Sequence, residues 1–130
     1  DLGYGISESL FAGSTAEVGG KSLCYFKEIG IYGLIMPFHQ EVWIHNWYNS
    51  IILLIQQHDE KYNTELMTTA LKFVEHDGKV QETAQALFVH KNTIWYRLNK
   101  IKEILHMEDK DLDFLEQLSV AIKLHKIYHL

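Results

Sequence analysis

The sequence is poor in several residue types, and each shortage excludes a class of protein. Its single cysteine, Cys24, gives no disulfide framework and is typical of a protein in a reducing cytoplasm. No run of about 18 apolar residues occurs and no signal-peptide pattern opens the chain, so we expect no membrane segment. One proline, eight glycines and 47% hydrophobic residues argue against disorder. Because the chain starts with Asp1 rather than Met, we expect a folded piece of a longer protein.

Motifs for catalysis and metal binding are also missing. Cys24 has no histidine near it in sequence, and neither G-x-S-x-G nor a phosphate-binding glycine loop occurs. His125 and His129 have the i, i+4 spacing of a helical metal pair, but no Cys, Asp or Glu stands at ligand spacing beside them. We therefore expect no enzymatic activity, no metal site and no cofactor.

The net charge of −5 excludes a general electrostatic coat for DNA, but the charge is unevenly distributed. Residues 1–62 hold three basic and seven acidic residues, whereas residues 63–130 hold nine and ten. Within residues 89–102 there is no acid at all. That stretch carries Lys91, Arg97, Lys100 and Lys102. A local contact with DNA therefore remains possible there.

Helical periodicity dominates after residue 40, and Pro37 marks a boundary before it. We predict helices over residues 41–57, 64–76, 81–87 and 91–105, and a last helix from Asp111. His58-Asp59 is expected to end the first helix, and Asn63-Thr64 to cap the second. Asp77-Gly78 should end that second helix in a left-handed conformation. Residues 1–20 are expected to be irregular. For residues 24–36 the periodicity does not distinguish a strand from a strand followed by a turn and a short helix.

The apolar faces of these helices predict which side chains are buried. The face of the helix over residues 41–57 is broad, which indicates either a central helix or part of a dimer interface rather than a ligand cage. Its members are Trp43, Ile44, Trp47, Tyr48, Ile51, Ile52, Leu54 and Ile55. The members in the second helix are Leu66, Met67, Ala70, Leu71 and Val74, and those in the last are Leu115, Leu118, Ala121, Ile122 and Leu124.

Residues 82–101 are typical of two helices joined by a tight turn. Ala84 supplies the small side chain that a close helix crossing needs, and Phe88 stands in the turn without the conformational freedom of glycine. Val89 and Ile94 are expected to fix the pair onto the helix over residues 64–76. The second helix buries a stripe at spacings of four, three and four, namely Ile94, Leu98, Ile101 and Leu105. Its other face shows amides, hydroxyls, aromatics and cations, which suits the major groove of DNA.

A family resemblance supports this interpretation. The sequence ETAQALFVHKNTIWYRLNKIKEIL resembles the C-terminal helix-turn-helix of the PucR/CdaR family of bacterial transcriptional regulators, whose motif is T-A-x-x-L-x-V-H-[RK]-N-T-[LI]-x-Y-R-L. Flanking stretches are similar too, so the resemblance covers roughly residues 21–130. Two positions depart from the family pattern. Lys79 replaces a common Asn, and Trp95 stands where a polar residue is frequent.

The resemblance implies a mainly α protein, a helical bundle containing a Fis-like helix-turn-helix after a short irregular or mixed N-terminal remnant. Residues 1–36 would be the remnant of, or linker from, an upstream regulatory domain. Residues 37–130 would form the DNA-binding domain, with the helix-turn-helix at about residues 81–105. The implied protein is a transcriptional regulator of the bacterial cytoplasm that binds double-stranded operator DNA, as a homodimer by our hypothesis. Its effector-sensing domain would lie outside this chain.

Within that resemblance, the recognition helix over residues 91–105 is expected to contact the major groove. The predicted DNA-binding residues are His90, Lys91, Asn92, Thr93, Trp95, Tyr96, Arg97 and Lys100. By their chemistry, His90 would cap the helix or, when protonated, touch a phosphate. Asn92 would contact adenine, and Thr93 a thymine methyl or a phosphate. Tyr96 and Arg97 would contact phosphates or bases, and Lys100 the backbone.

Several of these assignments have structural alternatives. His90 is compatible with a purely structural cap, Tyr96 with packing on the first helix of the pair, and Arg97 with an internal pair to Glu82 or another acid. Trp95 is compatible with half-buried packing. For the whole chain, the alternative function is a protein-interaction or oligomerisation module that uses the two helices only as a scaffold, and the net acidity motivates it.

Overall fold

The computed structural model describes residues 30–130, which form a bundle of six α-helices. They are α1 (Ile31–Ile35), α2 (Val42–Tyr62), α3 (Leu66–Glu75), α4 (Val80–Leu87), α5 (Lys91–Ile104) and α6 (Asp111–Tyr128), with a 3-10 turn at Met36–Phe38. Pro37 lies in that turn. The mainly α prediction is confirmed. The predictions for residues 1–20 and 24–29 lie outside the described residues.

A single apolar core joins the helices. The most deeply buried side chains of α2, α5 and α6 are aliphatic or aromatic, and they include Ile52, Ile55, Ile94, Ile101, Phe114, Leu118 and Ile122. Each such side chain contributes about 1.5–3 kcal/mol relative to an exposed position. Ile35 of α1 is buried in the same core. The boundary predicted at residues 36 and 37 therefore falls between two elements that pack on one core, and it stays a prediction.

The first predicted helix continues past its predicted end. His58-Asp59 does not break α2, which runs to Tyr62 and ends at Asn63 in a left-handed conformation with φ 53° and ψ 51°. The prediction was wrong because this polar stretch contains neither Pro nor Gly, and exposed polar side chains alone do not stop a helix. A helix of 21 residues is about 31 Å long, which is close to the diameter of a small domain.

The N-terminus of α3 is capped from a distance. Asn63 and Thr64 do not cap it, as the sequence had suggested, because Asn63 ends α2 and Thr64 donates its hydroxyl to Asp59 over 2.6 Å. The carboxylate of Asp59 accepts instead from the backbone N–H groups of Leu66 and Met67, each over 2.8 Å. One side chain thereby satisfies two of the free N–H groups that open a helix.

The C-terminus of α3 follows the prediction. Asp77 and Gly78 both have positive φ angles, 58° and 74°. The N–H of Gly78 donates to the carbonyl oxygen of Phe73 over 2.8 Å, which satisfies one of the last carbonyls of the helix.

The buried faces differ in a few positions from those predicted. Leu54 and Trp43 of α2 and Leu115 of α6 were expected inside, but they are 42%, 62% and 43% exposed. The neighbouring helices cover only part of the apolar faces of α2 and α6. Phe73 of α3 and Phe114 of α6 are buried, although no prediction included them. None of the helices of residues 30–130 is both long and apolar enough to cross a membrane.

Candidate nucleic-acid interface

The turn between α4 and α5 brings the two helices close together. Ala84 is 5% exposed at their contact, which confirms the need for a small side chain there. Phe88 ends α4 in the left-handed region, with φ 57° and ψ 41°, and its ring is 94% exposed. The N–H of Val89 then donates to the carbonyl oxygen of Ala84 over 3.0 Å. The turn thus adopts a conformation that usually favours glycine while it carries a phenylalanine.

The buried stripe of α5 fixes the helix on the bundle. Ile94, Leu98 and Ile101 are all at most 3% exposed, as their spacing predicts. Leu105 follows the end of α5 and is half-buried. With this side held against α3 and α4, the opposite face of α5 points outward.

His90 caps the N-terminus of α5, which confirms one of its two predicted roles. Its ring nitrogen Nδ1 accepts a hydrogen bond from the backbone N–H of Asn92 over 3.0 Å. Because Nδ1 accepts, the proton of the neutral ring lies on Nε2. An exposed His90 can therefore cap the helix and offer an Nε2–H donor at the same time. A protonated ring would lose the capping bond.

The remaining predicted DNA-binding residues divide into an exposed and a half-buried group. Lys91, Asn92, Trp95 and Tyr96 are exposed, with Trp95 at 50% and Tyr96 at 67%. Thr93 and Lys100 are half-buried. These six side chains belong to the first three turns of one helix, so the structure brings them onto the same part of the surface. Trp95 is only half covered.

Arg97 differs from the others because its contacts are internal. Its guanidinium donates to the hydroxyl oxygen of Thr69 over 3.1 Å and lies 3.5 Å from a carboxylate oxygen of Glu65. The side chain is only 18% exposed, and Thr69 is fully buried. These contacts match the alternative of an internal pair, with Glu65 rather than Glu82 as the acid.

Residues 89–102 contain no acid, but acidic side chains from outside this stretch lie close to two of its lysines. Lys100 lies 3.7 Å from the carboxylate of Glu103, and Lys102 lies 2.7 Å from that of Asp111. Both acids are well exposed, so these pairs contribute little to stability and can exchange for another anion. Among the basic residues of this stretch, Lys91 alone makes no ion pair to the described residues.

A cleft beside α5 adds residues that the sequence did not predict. Tyr96 and Lys100 form one wall, and His58 and Tyr62 from the end of α2 form the other. The open cavity has a volume of about 490 Å³. No local pattern connects His58 with Lys100, since more than forty residues separate them in sequence. The cleft extends the polar surface of α5 sideways onto α2.

His125 and His129 belong to an aromatic cluster between α2 and α6, away from α5. Nδ1 of His125 lies 2.6 Å from the hydroxyl of Tyr48, and the two histidine rings are 4.1 Å apart. Burial, and then the neighbouring His129, lower the pKa of His125. Burial, and then Tyr128, raise the pKa of Tyr48. His125 therefore connects α6 to α2, whereas His129 is exposed and contacts His125 on its own helix.

Comparison with known proteins assigns the region that contains this surface. Residues 66–124 match the model of the PucR C-terminal helix-turn-helix domain. The chain is 28% identical over 128 residues to the proline-responsive transcriptional activator PutR of Bacillus subtilis, covering 96% of the chain and 31% of that protein. It is 28% identical over 104 residues to the DNA-binding transcriptional activator AdeR of the same organism, covering 80% of the chain and 25% of that protein.

A third relative comes from another organism. The carbohydrate diacid regulator of Escherichia coli is 28% identical over 124 residues, which are 92% of the chain and 32% of that protein. The chain thus spans about a third or less of the length of these curated relatives. No solved structure was found to match it. Residues 66–124 of this chain therefore belong to the PucR C-terminal helix-turn-helix domain family.

Proposed function

We propose that this chain carries the DNA-binding domain of a bacterial transcriptional regulator, within residues 37–130, and that α5 enters the major groove of operator DNA. The observation that carries the proposal is the outward face of α5, which the buried stripe holds away from the core. That face presents an amide, a hydroxyl and two aromatic side chains beside a lysine. Base edges and phosphates bind all of these groups.

The N-terminus of α5 would bind a phosphate. Free N–H groups and the positive end of the helix dipole attract anions there. The Nε2–H of His90 and the ammonium of Lys91 would add two donors. In this arrangement His90 contacts the phosphate as a neutral ring, because the same ring caps the helix through Nδ1.

The middle of the helix would contact bases. Asn92 has the side chain that pairs with adenine through two hydrogen bonds, and Thr93 can meet a thymine methyl. Trp95 and Tyr96 would add apolar and hydroxyl contacts one turn further along, and Lys100 would leave Glu103 for a phosphate. We assign Arg97 to the support of α5, since its guanidinium is occupied by Thr69 and Glu65.

The wider function is proposed on the same basis. A single helix-turn-helix covers few base pairs, so two copies on one operator would supply the affinity that regulation needs. Sensing of an effector would belong to an upstream domain of the longer protein, because the relatives are about three to four times as long as this chain. One relative is named for its response to proline. We therefore propose a small metabolite as the class of effector. We propose the cytoplasm as the location of the protein.

The experiment starts from genomic fragments selected with the purified chain. Their binding is then measured by fluorescence anisotropy at several salt concentrations. The logarithm of the binding constant should fall linearly with the logarithm of the salt concentration, by about 0.9 per neutralised phosphate. Asn92→Ala should lose about 1–3 kcal/mol of binding free energy on the preferred sequence and much less on random DNA.

A matched control is available on another helix. Asn46 of α2 is also an exposed helical asparagine, so Asn46→Ala should bind like the parent. If the chain selects no fragment, or if binding does not depend on salt, the domain is instead a protein-interaction module. If Asn92→Ala and Asn46→Ala bind alike, the assignment of the base contact is wrong.

A further inference from the structure

A large apolar surface feature of the described residues lies away from α5. It is a groove of about 500 Å³ between α1, the N-terminal half of α2 and α6. Side chains that line it include Ile31, Leu34, Phe38, Trp43, Trp47 and Val120. All the described lining residues are apolar. Below, this surface is called the α1–α2–α6 groove.

Several of its side chains are exposed to an unusual degree. Leu34 is 64%, Phe38 46% and Trp43 62% exposed, and the rings of Phe38 and Trp43 stand 6.3 Å apart. Since a large aromatic side chain covers about 150–250 Å² when buried, these three residues together leave on the order of 300 Å² of apolar area uncovered. The largest apolar patch of a typical monomer has about 300–600 Å², and such patches are often functional, so this patch lies at the lower end of that range.

We propose that the α1–α2–α6 groove is the interface through which two copies of this chain form a symmetric dimer. In a two-fold dimer the same patch faces itself, so it must present both protruding and recessed parts. Trp43 and Leu34 protrude, and the groove beside them can receive the equivalent side chains of a second copy. The described lining residues are uncharged, so these side chains bring no like charges together across the axis. The exposed apolar area of these residues would supply about a third of the roughly 800 Å² that each partner buries in a standard interface.

The position of the groove suits a dimer that binds DNA. Trp43 and His58 lie fifteen positions apart on the same helix, so about 22 Å along the helix axis separate the groove from the cleft beside α5. Dimerisation through the groove leaves the outward face of α5 free. Two copies would hold their α5 helices a few tens of Å apart, the range of the 34–36 Å between successive major grooves on one side of DNA. The role of this dimer in DNA binding rests on the proposed function, whereas the existence of the interface does not.

The test is sedimentation equilibrium of the 130-residue chain over about 1–100 μM, the range of a moderately stable interface. We expect a monomer–dimer equilibrium. Trp43→Glu should weaken association at least tenfold, because it places two carboxylates in an apolar contact. Trp95→Glu is the matched control, since Trp95 is also about half exposed but lies on α5, and it should dimerise like the parent. Leu34→Glu provides a second variant should Trp43→Glu lose its helical circular dichroism.

DNA duplexes separate this inference from the proposed function. Trp43→Glu should bind a single half-site like the parent and lose at least tenfold in affinity on a duplex with two half-sites. If Trp43→Glu fails to dimerise but neither it nor the parent binds DNA, the proposed function is wrong and the interface is still supported. A parent chain that stays monomeric at 100 μM, alone and on the two-site duplex, overturns the interface. The interface is also overturned if both Trp43→Glu and Leu34→Glu still dimerise like the parent. It is overturned as well if residues 1–29 of the same molecule prove to cover the groove.

Discussion

The guanidinium of Arg97 donates a hydrogen bond to the hydroxyl oxygen of Thr69 over 3.1 Å, and this contact ties α5 to α3. Thr69 is fully buried, and its own hydroxyl hydrogen goes to the carbonyl oxygen of Glu65 over 2.8 Å. Arg97 therefore completes a chain of hydrogen bonds that runs from the first turn of α3 to the middle of α5. Arg97 thereby fixes the middle of α5 against α3.

We expect Arg97→Ala to lower the free energy of unfolding by about 1–3 kcal/mol, because it removes a charged donor from a buried hydroxyl. The ion pair with Glu65 adds little, since that carboxylate is 70% exposed. Urea unfolding followed by circular dichroism measures the change. Lys91→Ala, which truncates an exposed cation of the same helix, should unfold at the same urea concentration as the parent. Equal midpoints for both variants would show that Arg97 does not support α5.

Asp59→Ala should destabilise the domain by about 1–2 kcal/mol, because the N–H groups of Leu66 and Met67 lose their acceptor. Asp59→Asn keeps one acceptor oxygen and should recover part of the loss. The control is Glu60→Ala, a neighbouring exposed acid on α2. Thermal unfolding compares the three variants. A cap role for Asp59 is excluded if Glu60→Ala and Asp59→Ala melt together.

Phe88→Gly should raise the free energy of unfolding by about 0.5–1 kcal/mol. A left-handed residue with a Cβ is strained by about 1–2 kcal/mol, and glycine relieves that strain at some cost in the entropy of the unfolded chain. The ring is 94% exposed, so its removal costs almost no packing. Phe88→Ala keeps the strain and should therefore resemble the parent. The difference between Gly and Ala at this position, measured by urea unfolding, isolates the backbone effect, and a difference near zero would contradict it.

The free energy of unfolding should fall as the pH drops below the ordinary pKa of histidine. Burial first, and His129 second, lower the pKa of His125 in the folded protein, so the unfolded chain takes up its proton at a higher pH. The loss should begin near the ordinary value of 6.5 and level off once the pH is below the lowered pKa in the folded state. Tyr48, His45 and Tyr128 face the same cluster.

Unfolding midpoints between about pH 8 and pH 5 test this, because carboxylates stay largely ionised in that window. The slope of stability against pH should be smaller in His125→Gln than in the parent. His76→Gln serves as the control, since His76 lies at the end of α3 and outside the cluster. An identical slope in the parent and in His125→Gln would remove His125 as the cause.

Local patterns predicted the parts of the fold that local spacing decides. The stripe of Ile94, Leu98 and Ile101 follows from the 3.6-residue period, and it was sufficient to place the outward face of α5. The need for a small residue at Ala84 and the left-handed turn after α3 were predicted for equally local reasons. These features depend on neighbours within one or two turns of the chain.

Contacts between distant residues were not predictable in the same way. The cap of α3 comes from Asp59, on the preceding helix, and the partner of Arg97 is 28 residues away. The cleft beside α5 takes half of its wall from the end of α2. For the candidate site, the sequence therefore predicted the outward polar face of α5, but neither the inward direction of Arg97 nor the position of His58 and Tyr62 beside that face.

Because α2 is one unbroken helix, the domain has a mechanical connection between its two ends. Trp43 at one end lines the α1–α2–α6 groove, and Asp59 at the other end holds the first turn of α3. A rod of about 31 Å that tilts by about 5° displaces its far end by roughly 3 Å. That displacement is as long as the hydrogen bonds of Asp59, and Glu65, the partner of Arg97, lies in the segment that they hold. The α1–α2–α6 groove and the segment that holds Glu65, the partner of Arg97, are thus joined by one continuous helix.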